Sequence, residues 1–333
     1  MAKKLKDTDY LFISTYLRSR ERNLLTAARM ERMIDAATAE DAAKVLQEIG
    51  YGEFSPTSDR ELSEALARER EELFADLYRF VPDKAVVDVF KVKYDYHNVK
   101  TLLKAQALEL DGKRLLLDAG RVSAEELTRA LTEGEYDQLP PALGQAAREA
   151  REVLSATGDP QLSDFVLDRA YFEEMHAAAE ATGSAFLQGY VRLLTDATNL
   201  RSAVRSARMG KGSDFLHQVL LSGGSVDART LASRKGGDLS AAFRAGALAE
   251  AAALGDSLSA AGSGELTAFE RACDDAVMAY LTRARRIPFG EQAVVGYLYA
   301  RENEFTAIRT ILSGRMAGLD ADTIRERLRE AYV

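Results

Sequence analysis

Few residues in this chain combine the types and spacings that chemistry needs. Gly255-Asp256-Ser257-Leu258 spells the nucleophile signature of one class of ester hydrolases. A serine nucleophile requires a base within hydrogen-bond reach. In that class the signature closes an early strand, and the histidine follows near the C-terminus. Here it sits between Ala-rich helical stretches, and no histidine occurs after His217. The expected role is a helix end with an N-cap at Asp256 or Ser257. Gly210-Lys211-Gly212-Ser213 lacks the earlier glycine and the Gly-Lys-Ser/Thr order that cradle phosphate, so no P-loop is present. His97, His176 and His217 are far apart, and none stands in a His-Glu-x-x-His pattern that would hold zinc. The single Cys273 offers neither an internal disulfide nor a cysteine-rich metal site. Asp274-Asp275 and Glu71-Glu72 read as solvated helix faces rather than catalytic pairs. The expectation is a protein with no catalytic residue, no cofactor and no metal, which works by contact.

One set of charges points to contact. Lys100 and Lys104 are four apart, as are Arg201 and Arg205, so each pair shares a helix face. Arg309 recurs at a corresponding place. The alternative is local pairing of these cations with Asp95 or Asp196.

The elements that must position these residues are helical. Leu, Ala, Glu and Arg abound, Pro occurs 6 times, and no clean period-2 alternation appears. Residues 10–35 form a long helix candidate. Thr38 to Gln47 reads as a short helix ending near Gly50-Tyr51-Gly52. Ser58-Asp-Arg-Glu61 has capping-box spacing, with Leu62, Leu66, Leu73 and Leu77 following on one face. Pro82 interrupts, and a helix follows from about Asp83 to Leu108. Its positions Val89, Val92, Tyr96, Val99 and Leu103 step by 3 and 4 residues and form one apolar stripe. Later breaks at Gly112, Gly120, Pro140-Pro141, Gly158, Gly183, Gly210, Gly223-Gly224, Gly236-Gly237, Gly262 and Pro288 delimit roughly a dozen helices.

The chain also repeats itself. A shift of 101 carries Asp95, Asn98, Val99, Lys100 and Lys104 onto Asp196, Asn199, Leu200, Arg201 and Arg205, and Pro82 onto Gly183. A shift of 205 or 206 gives a looser third match, with Asn98 meeting Asn303, Lys104 meeting Arg309 and Pro82 meeting Pro288. Gly120-Arg-Val-Ser123-Ala-Glu-Glu-Leu127 resembles Gly224-Ser-Val-Asp227-Ala-Arg-Thr-Leu231 and Ala317-Gly-Leu-Asp320-Ala-Asp-Thr-Ile324, with Thr38-Ala-Glu-Asp41 a weaker copy. Each places a Ser, Thr or Asp at an N-cap, and the three stronger copies follow it with an apolar residue four positions on. A unit of about 100 residues exceeds the common helical repeats and reads as three small modules. They are expected over residues 1–121, 122–225 and 226–333, the last with a closing helix.

Bulk properties exclude other classes. A net charge of −8 argues against nucleic acid and against an electrostatic footing on anionic lipid. No run of about 18 apolar residues is present to cross a membrane, and no signal peptide is evident at the N-terminus. A soluble protein, monomeric when isolated, is expected.

Two blocks carry a resemblance. Asp9-Tyr-Leu-Phe-Ile-Ser-Thr-Tyr16-Leu-Arg-Ser-Arg-Glu-Arg22-Asn-Leu-Leu25 and Phe90-Lys-Val-Lys-Tyr94-Asp-Tyr-His-Asn98-Val-Lys100-Thr-Leu-Leu-Lys104 look like the C subunit of prokaryotic A/V-type ATP synthases, the homologue of the d subunit of vacuolar ATPases. Asp196-Ala-Thr-Asn199-Leu-Arg201, Glu302 to Leu312 and Ile324 to Val333 fit the later blocks, in the family's order. The resemblance is least from about Ser233 to Gly264. It implies an all-α funnel of three similar modules about a pseudo-threefold axis. It implies a non-catalytic rotor subunit of the central stalk, at the cytoplasmic face of the cell membrane. There it would join the central shaft, made of the D and F subunits, to the membrane rotor ring that transports hydrogen or sodium ions. On that expectation Lys100, Lys104, Arg201, Arg205 and Arg309 are candidate contacts for an acidic shaft foot. A helical adaptor for another partner is the alternative.

Overall fold

The computed structural model describes residues 5–52, 54, 56–233 and 238–333. The expected break at Gly236-Gly237 and the residues Met1 to Lys4 lie outside these. Among the described residues the chain is all-α, with sixteen α-helices, four short 3-10 turns and no strand. No helix there is long and apolar enough to cross a membrane.

The chain forms two compact units. The first comprises Met1–Asp83, Ala203–Lys211 and Arg234–Val333, and the second Lys84–Ser202 and Gly212–Ser233. The first opens with α1 (Leu11–Glu21), α2 (Ala27–Asp35), α3 (Ala39–Gln47) and α4 (Asp59–Phe80). The single helix expected over 10–35 is therefore two. The chain leaves helical geometry between Glu21 and Ala27, where the Leu25 N–H donates to the distant Glu304 carboxylate and Thr26 caps α2 through the Arg29 N–H. A tertiary acceptor has taken an amide that helix continuation would have used. Thr38 caps α3 and Ser58 caps α4. Glu61 departs slightly from the capping box: its carboxylate accepts from Thr57, one residue before the cap.

The second unit holds α5 (Ala85–Ala107), α6 (Ala124–Glu133), α7 (Pro141–Thr157), α8 (Pro160–Thr182), most of α9 (Ala185–Arg208), α10 (Ser213–Val219) and α11 (Ala228–Ser233). The stripe Val89, Val92, Tyr96, Val99 and Leu103 is buried throughout. It packs α5 on α8, with α7 also packed against α8. Leu127, Leu131, Leu143 and Leu167 join the same core.

Back in the first unit follow α12 (Leu239–Ala242), α13 (Ala249–Ala261), α14 (Thr267–Thr282), α15 (Glu291–Met316) and α16 (Ala321–Arg327). Helix α15 touches α1, α2, α3, α4, α14 and α16. Its buried residues fall on every side, as they must for a helix at the centre of a bundle.

Candidate functional site

The candidate contact residues are distributed over both units. In the second, Lys100 Nζ donates to Asp168 at 2.5 Å and Lys104 Nζ to Asp164 at 2.6 Å. The two carboxylates are also four apart, on α8, so two matched helix faces are zipped by charge. Arg201 is half-buried on α9 and is also engaged. In the first unit, Arg205 donates to Glu270 at 2.5 Å and Arg309 to Ser63 Oγ at 2.9 Å. Burial, then repulsion from Arg70, pushes the Arg309 guanidinium below its ordinary value, against the pull of Asp59. The structure thus brings together Lys100 with Lys104 and gives each an acidic partner.

Asp95 and Asp196 do something else. The Asp95 carboxylate accepts from the backbone N–H of Arg121 at 2.8 Å and of Val122 at 3.2 Å. One turn on, Asn98 binds Leu117 twice, donating to its carbonyl and accepting from its N–H at 2.8 and 2.9 Å. The second copy repeats this atom for atom. Asp196 accepts from Ser225 and Val226 N–H at 2.9 and 3.3 Å, and Asn199 binds both backbone groups of Leu221 at 2.8 Å. Each carboxylate lies so close under the loop that a Cβ on Gly120 or Gly224 would stand 2.2 or 2.3 Å from an oxygen. In each copy an Asp-x-x-Asn turn on a buried helix grips the loop that leads to the next N-cap.

The first copy is further charged. Arg121 donates to Asp95 at 2.7 Å and to Glu174 at 2.7 Å, and Tyr96 donates to Glu174 at 2.9 Å. Burial raises the Asp95 pKa, opposed by Arg121 and the two backbone donors. In the second copy Ser225 stands where Arg121 does and donates its Oγ to Asp196 at 2.5 Å, and His176 lies against the loop. Its ring packs on Gly223, and its Nε2 lies 2.9 Å from Thr195 Oγ1. That hydroxyl donates to the Val191 carbonyl, so the imidazole is the donor in the pair. Burial lowers the His176 pKa, with Glu180 opposing and Arg192 assisting. A polar cavity of about 500 Å³ lies beside it, lined by His176, Gln188, Arg192 and Gly223 to Ser225.

Helix α15 carries the third variation. Asn303 donates only once, to the Glu330 carbonyl at 3.1 Å. The buried carboxylate is Glu304, which accepts from Leu25 N–H, Tyr51 OH and Arg301, each at 2.5 Å. Arg301 also reaches Glu69 at 3.3 Å and lies over the Tyr51 and Phe305 rings. The Arg-x-x-Glu spacing inside an apolar helix is the sequence signal for this cluster. The looser third match points to Asn303 instead.

The residues considered for catalysis hold structure. Gly255 to Leu258 lie inside α13, not at a helix end as expected. Gly255 fits against Val204 and Phe269, and Ser257 Oγ donates to its own helix at Ala253. Asp256 caps a different helix, accepting from Leu239 and Ser240 N–H at 2.9 Å. All three histidines belong to the other unit. Asp274 and Asp275 face the segment after α16, accepting from Arg329 at 2.5 Å and the Glu330 N–H at 3.0 Å, rather than forming a merely solvated face. Among the described residues no group of three His, Cys, Asp or Glu side chains is placed to hold a metal ion.

Comparison with known proteins matches this chain to one family. A family model described as "ATP synthase (C/AC39) subunit" matches residues 13–327. The chain is 24% identical over 325 residues to the C subunit of the V-type sodium ATPase of Enterococcus hirae, covering 97% of this chain and 99% of that one. It is 27% identical over 337 residues to the C subunit of the V-type ATP synthase of Thermus thermophilus, covering 96% and 98%. Against the C subunit of the A-type ATP synthase of Methanocaldococcus jannaschii it is 25% identical over 353 residues, covering 96% and 86%.

Proposed function

This chain belongs to the ATP synthase (C/AC39) subunit family, and on that premise we propose that it is a rotor subunit of the central stalk of a V/A-type ATPase. It couples the shaft, formed by the D and F subunits, to the ion-carrying membrane ring. Its own role is mechanical and non-catalytic, and it works on the cytoplasmic side of the membrane. The observation that carries the reading is the end-to-end match to relatives that are the C subunits of such machines. The paired Asp-x-x-Asn clamps support its structural half, three similar modules over residues 1–121, 122–225 and 226–333 forming a funnel about a pseudo-threefold axis.

The physics of coupling fits the fold. A collar that transmits torque must not yield, and close-packed helix bundles have low compressibility. Carboxylates that grip a loop through its backbone, as Asp95 and Asp196 do, fix that loop independently of its side chains. Torque also requires interfaces that do not slip, of about 1,200 Å² or more at each end.

Lys100, Lys104, Arg201, Arg205 and Arg309 meet acidic residues of the shaft foot in this reading. The carboxylates already paired with Lys100, Lys104 and Arg205 do not prevent it, because partly exposed ion pairs are worth about 0.2–1 kcal/mol. The test is assembly. The full chain, mixed with purified D–F pair and detergent-solubilised ring, is expected to bind both. Removing it from the assembled machine should abolish ATP-driven ion transport while the head still hydrolyses ATP. Retained transport, or recovery with unrelated clients alone, would favour a helical adaptor. Reversing charge at Arg201 and Arg205 is expected to weaken shaft binding. Unchanged binding with a lowered melting temperature would make those residues purely structural.

A further inference from the structure

The cavity beside His176 is lined by groups that the chain itself leaves unused. His176 and Glu180 come from α8, Gln188 and Arg192 from α9, and Gly223 to Ser225 from the loop that Asp196 grips. All of them lie within the second unit. Arg192 is exposed, and no described residue pairs with its guanidinium. Gln188 is half-buried, and its side-chain amide bonds to no described residue. The N–H groups of Gly223 and Gly224 likewise have no acceptor among the described residues. A Cβ on Gly223 would stand 2.5 Å from His176 Nε2, so the loop and the imidazole are in contact.

The balance of donors and acceptors on this lining decides what it can hold. An arginine fork, a carboxamide and two backbone N–H groups all offer hydrogens. Glu180 is the one acid among the lining side chains, and Ser225 Oγ is already turned to Asp196. A cation would meet the Arg192 charge and mostly donors. An oxyanion meets donors from a helix and a loop. Phosphate, with more oxygens than a carboxylate, can use more of these donors at once, and a guanidinium suits it in particular. The net charge of the chain is −8, so such a ligand has to be selected by these local groups. A volume of about 500 Å³ is within the range of small-molecule sites.

We propose that this cavity binds a phosphate group, as inorganic phosphate or as the phosphate end of a small molecule, with Arg192 and Gln188 as its side-chain donors and the Gly223–Gly224 backbone beside them. The site does not depend on the rotor reading above. A bound phosphate also acts on His176. Burial and Arg192 disfavour the imidazolium, while Glu180 and Asp196 favour it. A phosphate on the same lining adds to the second pair and draws a proton onto the ring. Glu180, which is exposed, opposes the ligand by like charge.

The experiment titrates the full chain with inorganic phosphate, ADP and acetate at constant ionic strength, followed by calorimetry and by the NMR resonances of the His176 imidazole. Phosphate and ADP are expected to saturate and to move the His176 titration midpoint upward. Arg192→Gln should weaken both roughly tenfold or more, the scale of losing a charge-assisted contact. Its melting temperature should stay as in wild type, since no described residue pairs with that guanidinium. Glu180→Gln should tighten binding severalfold by removing the opposing charge. ADP binding more tightly than phosphate would support the site and give the rest of the cavity to the carrier of the phosphate. Equal affinities would support it with inorganic phosphate as the ligand. No saturable binding of either by about 10 mM would overturn the proposal. So would acetate binding as tightly as phosphate, or phosphate affinity unchanged in both variants.

Discussion

Asp95 and Asp196 show how much one side chain decides. Each fixes a loop by its backbone, and each demands a glycine opposite. Gly120 and Gly224 do not need a left-handed backbone, so the cost of adding a methyl is purely steric. Gly120→Ala and Gly224→Ala should each destabilise by about 1–3 kcal/mol in urea unfolding, the range for overpacking a filled site. Gly212→Ala, with open space around its Cβ, should be near neutral. His176 gives a second prediction, in pH. Because burial lowers its pKa below the ordinary 6.5, the folded chain binds this proton less readily than the unfolded chain. Its contribution is therefore intact above about pH 6.5 and is lost as pH falls through the lower folded value. Thermal melting between pH 7.5 and 5 should show wild type losing stability, and His176→Gln, which keeps an N–H toward Thr195, losing less. The repeat in the sequence matches Asp95 to Asp196 and Asn98 to Asn199. It does not show what they hold, because the partners lie 19 to 30 residues downstream and are gripped through their backbone groups. A backbone amide has no sequence identity, so a residue chosen to bind one is visible only as its own half of the contact.

At the scale of elements, local signals are legible and remote ones are not. The N-caps at Ser123, Asp227 and Asp320 all hold, each accepting the N–H three residues on. The apolar residues four positions later, Leu127, Leu231 and Ile324, are all buried. These depend on chemistry within one turn. The division of 10–35 into α1 and α2 depends on Glu304, some 280 residues away, and no local pattern announces it. The same distance makes Glu304 a sensitive site. Glu304→Leu should cost about 3–5 kcal/mol, because it strands the Arg301 charge and the Leu25 N–H in a buried place. Glu304→Leu with Arg301→Met should recover part of that loss in the same unfolding assay. The α5–α8 zipper should behave oppositely. Asp168 is about half exposed, so exchanging charges in Lys100→Asp with Asp168→Lys should leave stability within about 1 kcal/mol of wild type. If Lys100 meets the shaft, the exchanged chain should still bind it more weakly, which separates contact from packing.

For the whole molecule, the question is how a helical protein stays stiff where its chain runs out of helix. The segment after α16 answers it for the first unit. Between Leu328 and Val333 there is no regular structure, yet the segment is fixed from several sides. Arg329 pairs with Asp274 on α14, and the Glu330 N–H donates to Asp275. Asn303 on α15 donates to the Glu330 carbonyl, and Arg285 donates to that of Tyr332. The Tyr332 ring is buried against α15, where a Cβ on Gly296 would stand 2.6 Å from its hydroxyl. In the sequence Ile324 to Val333 stands out only as a fitting end block. Its anchoring is illegible there because Asp274-Asp275 reads as a solvated pair, and burial of a tyrosine is not written in any period. Removing residues 329–333 should therefore cost about 3–5 kcal/mol, the scale of deleting a buried aromatic, and Tyr332→Ala alone should account for most of it. The same deletion tests the mechanical role. Under the proposed rotor reading, a chain loosened between α14 and α15 but still folded should support ATP hydrolysis by the assembled machine while transporting fewer ions per ATP. Equal transport per ATP in the truncated and intact chains would mean that rigidity at this site is not what coupling requires.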